Sequence, residues 1–81
     1  MSHDEAIKRL QEVFDRLCLE PVKLTPTLRA KDVREWDSLM QVNLVIAVEK
    51  AFGVRFRLGE VEKTKNIGEF VELILQRMAA A

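Results

Sequence analysis

Trp36-Asp37-Ser38-Leu39-Met40-Gln41-Val42-Asn43-Leu44-Val45-Ile46-Ala47-Val48-Glu49-Lys50-Ala51-Phe52-Gly53 is the stretch that decides the fold. Leu39, Val42 and Ile46 recur at helical spacing, and so do Leu44, Val48 and Ala51, so apolar side chains populate more than one face. This predicts a substantially buried central helix over residues 37–52. Asp37 and Ser38 stand where a helix needs side-chain acceptors for its first unpaired amides. Gly53 suits the left-handed position just past its end.

Upstream, Ile7, Leu10, Phe14 and Leu17 alternate with charged residues at three- and four-residue steps. They predict a first helix over about 4–19, capped by Ser2 or Asp4 and closed by Pro21, which disfavours helical geometry in the residue before it. Residues 20–36 break the pattern at Pro21 and Pro26. A loop of that length needs a reason in a small domain, and Leu24, Leu28 and Val33 indicate a crossing segment pinned over the core. Downstream, residues 59–64 read as one helical turn. Asn66 followed by Glu69 resembles a capping box, and Ile67, Phe70, Val71, Ile74, Leu75 and Met78 then define a last helix over 66–79. The terminal alanines Ala79 to Ala81 are expected to fray.

The fold class is therefore all-α, a four-helix bundle in one domain over residues 1–81, since so short a chain cannot divide its apolar residues between two cores. Its interior is expected to hold Phe14, Leu17, Leu44, Val48, Phe52, Phe70 and Ile74, with room for apolar chains between the helices. Thirteen basic and 13 acidic residues cancel, which argues against a nucleic-acid binder. Cys18 has no cysteine partner and no companion ligands for a metal, and it reads as a small boundary residue. No apolar run approaches the roughly 20 residues of a membrane span, and the start lacks a basic region followed by an apolar one, so a cytoplasmic chain is expected.

Catalysis has little to work with. The only histidine, His3, is terminal, so a nucleophilic triad is not expected. Glu49 and Glu60 read as solvated acids because a domain of this size encloses no water-free cleft around them. Ser38 is different. As a cap it needs no further role, but a serine at a helix start can be esterified without opening the core. A phosphate attached there would meet free amides and the positive end of the helix dipole. The residues alone leave both readings open.

The whole pattern resembles the acyl carrier protein family: helix, long loop, Asp37-Ser38-Leu39 opening an apolar helix, then Glu49-Lys50-Ala51-Phe52-Gly53-Val54-Arg55-Phe56, then Ile67-Gly68-Glu69-Phe70-Val71. Leu24-Thr25-Pro26 and Leu28 resemble that family's loop, and Leu39, Val42, Leu44 and Phe52 fall where its core residues do. The resemblance implies that the chain is not an enzyme and that Ser38 carries a covalent 4'-phosphopantetheine from coenzyme A. It implies that Asp37 and Leu39 are read by a phosphopantetheinyl transferase. Met40, Asn43, Ile46 and Lys50 would then face the acyl-loading and acyl-processing enzymes. A monomer is the expected state for a carrier that must expose its arm. Fatty-acid carriers are commonly acidic where Met40, Asn43 and Lys50 stand, and Glu35 replaces a frequent glycine, so a specialised, free-standing carrier is expected. The alternatives are a discrete aminoacyl carrier and an interaction bundle with no prosthetic group. Arg55 and Arg57 are further candidates for partner contact, and Trp36 is expected to pack the loop or to sit beside the arm.

Overall fold

Ser2 starts the first helix, α1 (His3–Leu17): its backbone is extended and its Oγ accepts from the Glu5 amide at 3.2 Å. The computed structural model describes residues 1–57 and 59–80. Ala6, Leu10, Val13 and Phe14 form the buried stripe of α1. The helix stops two residues short of Leu19 because Glu35 takes the next amides away from the helical ladder. Its carboxylate accepts from Leu19 N and Glu20 N, each at 3.0 Å.

The second helix, α2 (Ser38–Phe52), buries Met40, Leu44, Val48 and Phe52, a single stripe at four-residue steps. It ends at Gly53, whose φ of 67° is the left-handed turn that only a residue without Cβ adopts cheaply. The expectation of a substantially buried α2 with Leu39 and Val42 in the core is corrected here. Leu39 is 71% exposed, Val42 57% and Ile46 47%. One apolar stripe meets the bundle and a second is left on the surface.

The short third helix is one 3₁₀ turn, Val61–Lys63, and another such turn, Ala30–Asp32, lies within the long loop. The last helix, α3 (Ile67–Ala80), continues through the tail that was expected to fray, and Ala81 lies outside the described residues. No strand occurs among the described residues. α1 packs against both α2 and α3. Where they meet, Leu10, Phe14, Leu44, Val48, Phe70 and Ile74 are almost wholly enclosed. Each such side chain contributes about 1.5–3 kcal/mol relative to an exposed one. Leu17, expected in this interior, is only half-buried at its edge.

Hydrogen bonds hold the loop down at both ends. Gln11 on α1 donates to the Val22 carbonyl at 2.6 Å and accepts from Leu24 N at 2.9 Å. The carbonyls of Leu28 and Pro26 accept from Ile67 N and Gly68 N at 2.8 and 2.9 Å, so the loop satisfies amides that open α3. Asn66 Oδ1 accepts from Glu69 N at 2.9 Å, but Glu69 reaches back to Lys65 N rather than to Asn66 N, shifting the expected capping box by one residue.

This close docking sets the sign of one substitution. Alanine normally stabilises a helical position relative to glycine by about 1 kcal/mol. A Cβ on Gly68 would lie 3.1 Å from the Pro26 carbonyl that caps α3, so the loop has to move away. Gly68→Ala is expected to lower Tm by about 4–8 °C, the equivalent of roughly 1 kcal/mol in a domain of this size, and a rise in the circular-dichroism melt would contradict it.

Candidate functional site

Asp37 and Ser38 divide the work that the sequence leaves shared between them. Asp37 is the cap of α2: its backbone is extended and its Oδ1 accepts from Met40 N at 2.9 Å. Ser38 is the first residue of the helix and is exposed, and its Oγ makes no hydrogen bond among the described residues. The hydroxyl is thus free for chemistry that the cap does not need.

Ser38 opens onto a cleft of about 590 Å³ whose walls include Trp36, Gln41, Val42, Thr64 and Lys65. Trp36 is half-buried, edge-on to Phe14 with ring centres 5.2 Å apart, and its indole N–H donates to Gln41 Oε1 at 2.6 Å. The same ring therefore packs the loop and walls the cleft. Gln41, Thr64, Lys65 and Asn66 were not identifiable as site residues from the sequence, because the last three come from a segment that reaches Ser38 only in three dimensions.

A second cleft of about 320 Å³ adjoins the first through Val42, Val61 and Glu62 and is walled further by Val45, Ile46 and Phe56. Phe56 is held by its amide, which donates to Glu49 Oε2 at 2.9 Å, and by its tilted packing on Phe70 at 6.2 Å. This apolar space lies between α2 and the segment that follows it, not between the long helices as expected. Glu49 and Glu60 are likewise not simply solvated. Glu60 accepts from Arg57 N at 2.6 Å and pairs with Arg77 on α3, so both acids clasp this segment to the helices.

Of the surface residues assigned from the sequence, Asn43, Ile46 and Lys50 are exposed on α2, in line with Leu39 and Val42. Met40 is not. It is buried, with 7% exposure, because it lies four residues before Leu44 and shares the core register of Leu44, Val48 and Phe52. That four-residue series was readable in the sequence and was outweighed by the neighbouring apolar residues. Arg55 and Arg57 are exposed beyond the helix end.

Glu35 braces the approach to the site. The amides of Glu20 and then Leu19 hold its carboxyl below the ordinary carboxylate range. A group whose folded pKa is depressed contributes stability above its unfolded pKa, about 4.3 for Glu, and loses it as pH falls through the folded value. Glu35→Gln is therefore expected to lower Tm at neutral pH, with the gap from the wild type closing on acidification below about pH 4.3. A gap that stays constant with pH would remove this role. Cys18, which follows α1, has its thiol pKa pushed up by burial and by the nearby Glu35 and Asp15 carboxylates, the direction opposite to a reactive thiol.

The described residues hold no group of three His, Cys, Asp or Glu placed to bind a metal, and no helix among them is long and apolar enough to cross a membrane. What the site fits is a phosphodiester. Its oxygen would come from an unengaged hydroxyl at the first turn of a 15-residue helix, with Lys65 on the same cleft as a counter-charge.

No protein-family model matches the chain. An acyl carrier protein of Rubrobacter xylanophilus is 31% identical, over 99% of this chain and 100% of its own length. One from Thermosynechococcus vestitus is 30% identical over the same shares. The solution NMR structure of a holo acyl carrier protein from Geobacter metallireducens superposes with a TM-score of 0.75 at 32% identity, covering 96% of this chain and 86% of that one. With an all-helical fold, a free serine at the start of α2 and full-length likeness at this level, the chain belongs to the acyl carrier protein family, whose members are carriers bearing a covalent 4'-phosphopantetheine and not enzymes.

Proposed function

We propose that Ser38 is the attachment point of the phosphopantetheine arm and that residues 1–81 act as one carrier domain. The observation that carries this reading is the division of labour at the helix start. Asp37 alone caps α2, which leaves the Ser38 hydroxyl exposed and unbonded. In the modification, the Ser38 oxygen attacks the β-phosphorus of coenzyme A and loses its proton, and 3',5'-ADP departs. The tethered thiol then carries acyl groups as thioesters, and the tether keeps them at high local concentration for successive active sites.

Asp37 and the strongly exposed Leu39 are what the phosphopantetheinyl transferase reads. Val42, Asn43, Ile46 and Lys50 continue the same stripe of α2 and form the face presented to acyl-loading and acyl-processing enzymes. Met40 does not belong to that face. Apolar contact dominates the stripe, and α2 carries no acid in its first turn, which supports a specialised fatty-acid, polyketide or related pathway. The proposal places the carrier in the cytoplasm as a monomer.

The test is mass spectrometry of the chain after incubation with coenzyme A and a broad-specificity transferase. One phosphopantetheine should be gained and should map to the peptide containing Ser38. No gain would leave an interaction bundle without a prosthetic group. Asp37→Ala should retain the acceptor but load more slowly. Losing the cap costs about 1 kcal/mol, so a fully folded variant loading at the wild-type rate would remove Asp37 from recognition.

A further inference from the structure

The cleft beside Ser38 has two exits of opposite character. One passes Val42 and Val61 into the apolar cleft against Phe56. The other shares Ala30, Glu62, Thr64 and Lys65 with an open cleft of about 510 Å³, which Arg29, Lys31 and Lys63 complete. The chain as a whole is neutral, yet four cations from two segments far apart in sequence converge on this exit. The nearby acids are partly spent. Asp32 pairs with Arg29 at 3.2 Å and Glu69 accepts from the Lys65 amide at 3.0 Å. Glu62 borders the cleft, and among the described residues Lys31, Lys63 and Lys65 form no ion pair.

We infer that this basic exit is a subsite for the free end of an acyl group that terminates in a carboxylate, and that an uncharged aliphatic end does not use it. The inference rests on Ser38 as the attachment point. Exposed lysines hold a free carboxylate weakly, because water and salt screen the attraction. A cargo hinged at Ser38 is another matter. Tethering raises its effective concentration to the order of millimolar, so a weak site is populated. The apolar exit offers the same carboxylate one cation, Arg57, beside Glu62, against the four cations of the basic exit, and burial among Val45, Ile46 and Phe56 costs an ionised group its water. The fork therefore sorts cargo by the charge at its far end, with no bond made or broken.

The test compares two cargoes of similar length, succinyl and pentanoyl, transferred to Ser38 with the arm from their coenzyme A thioesters. Mass spectrometry first establishes loading. The side-chain NMR signals of Lys63 and Lys65 are expected to shift with succinyl and not with pentanoyl, and the shift should shrink as salt is raised. Lys63→Gln combined with Lys65→Gln, both at exposed positions, should abolish the succinyl response, read in the variant on the Lys31 side chain and the Thr64 amide of the same cleft, and leave the circular-dichroism melt unchanged. Should the double variant fold poorly, Lys63→Gln alone is expected to reduce the response. Equal lysine shifts with both cargoes, or a succinyl shift that survives in the variants, overturn the fork and leave the carrier reading intact. Failure of Ser38 to gain either cargo overturns the attachment site, and the fork with it.

Discussion

Ser38→Ala, incubated with coenzyme A and a broad-specificity transferase, is expected to gain no mass, while its helical spectrum and melting temperature should stay close to those of the wild type. The contrast follows from what each side chain does. With Ser38 as the proposed acceptor, covalent transfer needs its oxygen, so the expected loss is complete rather than graded. The fold does not use that oxygen, since Asp37 Oδ1 supplies the cap and the Ser38 hydroxyl makes no hydrogen bond among the described residues. Surface substitutions of this kind fall within about 0.5 kcal/mol. Retained loading in Ser38→Ala would mean that another hydroxyl is the acceptor. Loss of loading together with collapse of the fold would show that Ser38 is structural and leave its role as acceptor without support.

Met40→Ser and Ile46→Ser are expected to part company, although both place a hydroxyl on α2. Met40 is 7% exposed within the buried stripe. Truncating a buried side chain of this size costs about 2–5 kcal/mol, and the serine hydroxyl is left with water excluded on most sides. A loss of that size lowers Tm by more than about 8 °C in a domain this small. Ile46 is 47% exposed, so its replacement should leave Tm nearly unchanged while weakening binding to the cognate acyl enzyme. The pair is read by thermal melts alongside partner titrations. Equal destabilisation by both variants would contradict the orientation of α2, and unaltered binding in Ile46→Ser would remove the exposed stripe from docking.

Much of this protein is fixed by local sequence. Helical spacing in α1 and α3, the Ser2 and Asp37 caps, and the left-handed Gly53 depend on residues no more than four apart. Such interactions are legible without a fold because the helix itself sets which side chains and amides meet. The link between Asp37-Ser38-Leu39 and a carrier was legible for a further reason. The motif and its surrounding pattern resemble the acyl carrier protein family, and relatives of that name match over nearly the full length of the chain.

Tertiary structure decided the rest. Which of the two apolar stripes of α2 is buried depends on where α1 lies, and the packing selects Met40, Leu44, Val48 and Phe52 while leaving Leu39, Val42 and Ile46 outside. The early end of α1 depends on Glu35, 15 or 16 residues beyond the amides it takes. The order of the loop depends on Gln11 and on the first amides of α3. The cleft at Ser38 likewise acquires Thr64, Lys65 and Asn66 from the segment before α3. Periodicity reports that a helix has an apolar face, but burial and satisfied hydrogen bonds are properties of surfaces brought together from distant parts of the chain. Their partners are chosen only when the whole core closes.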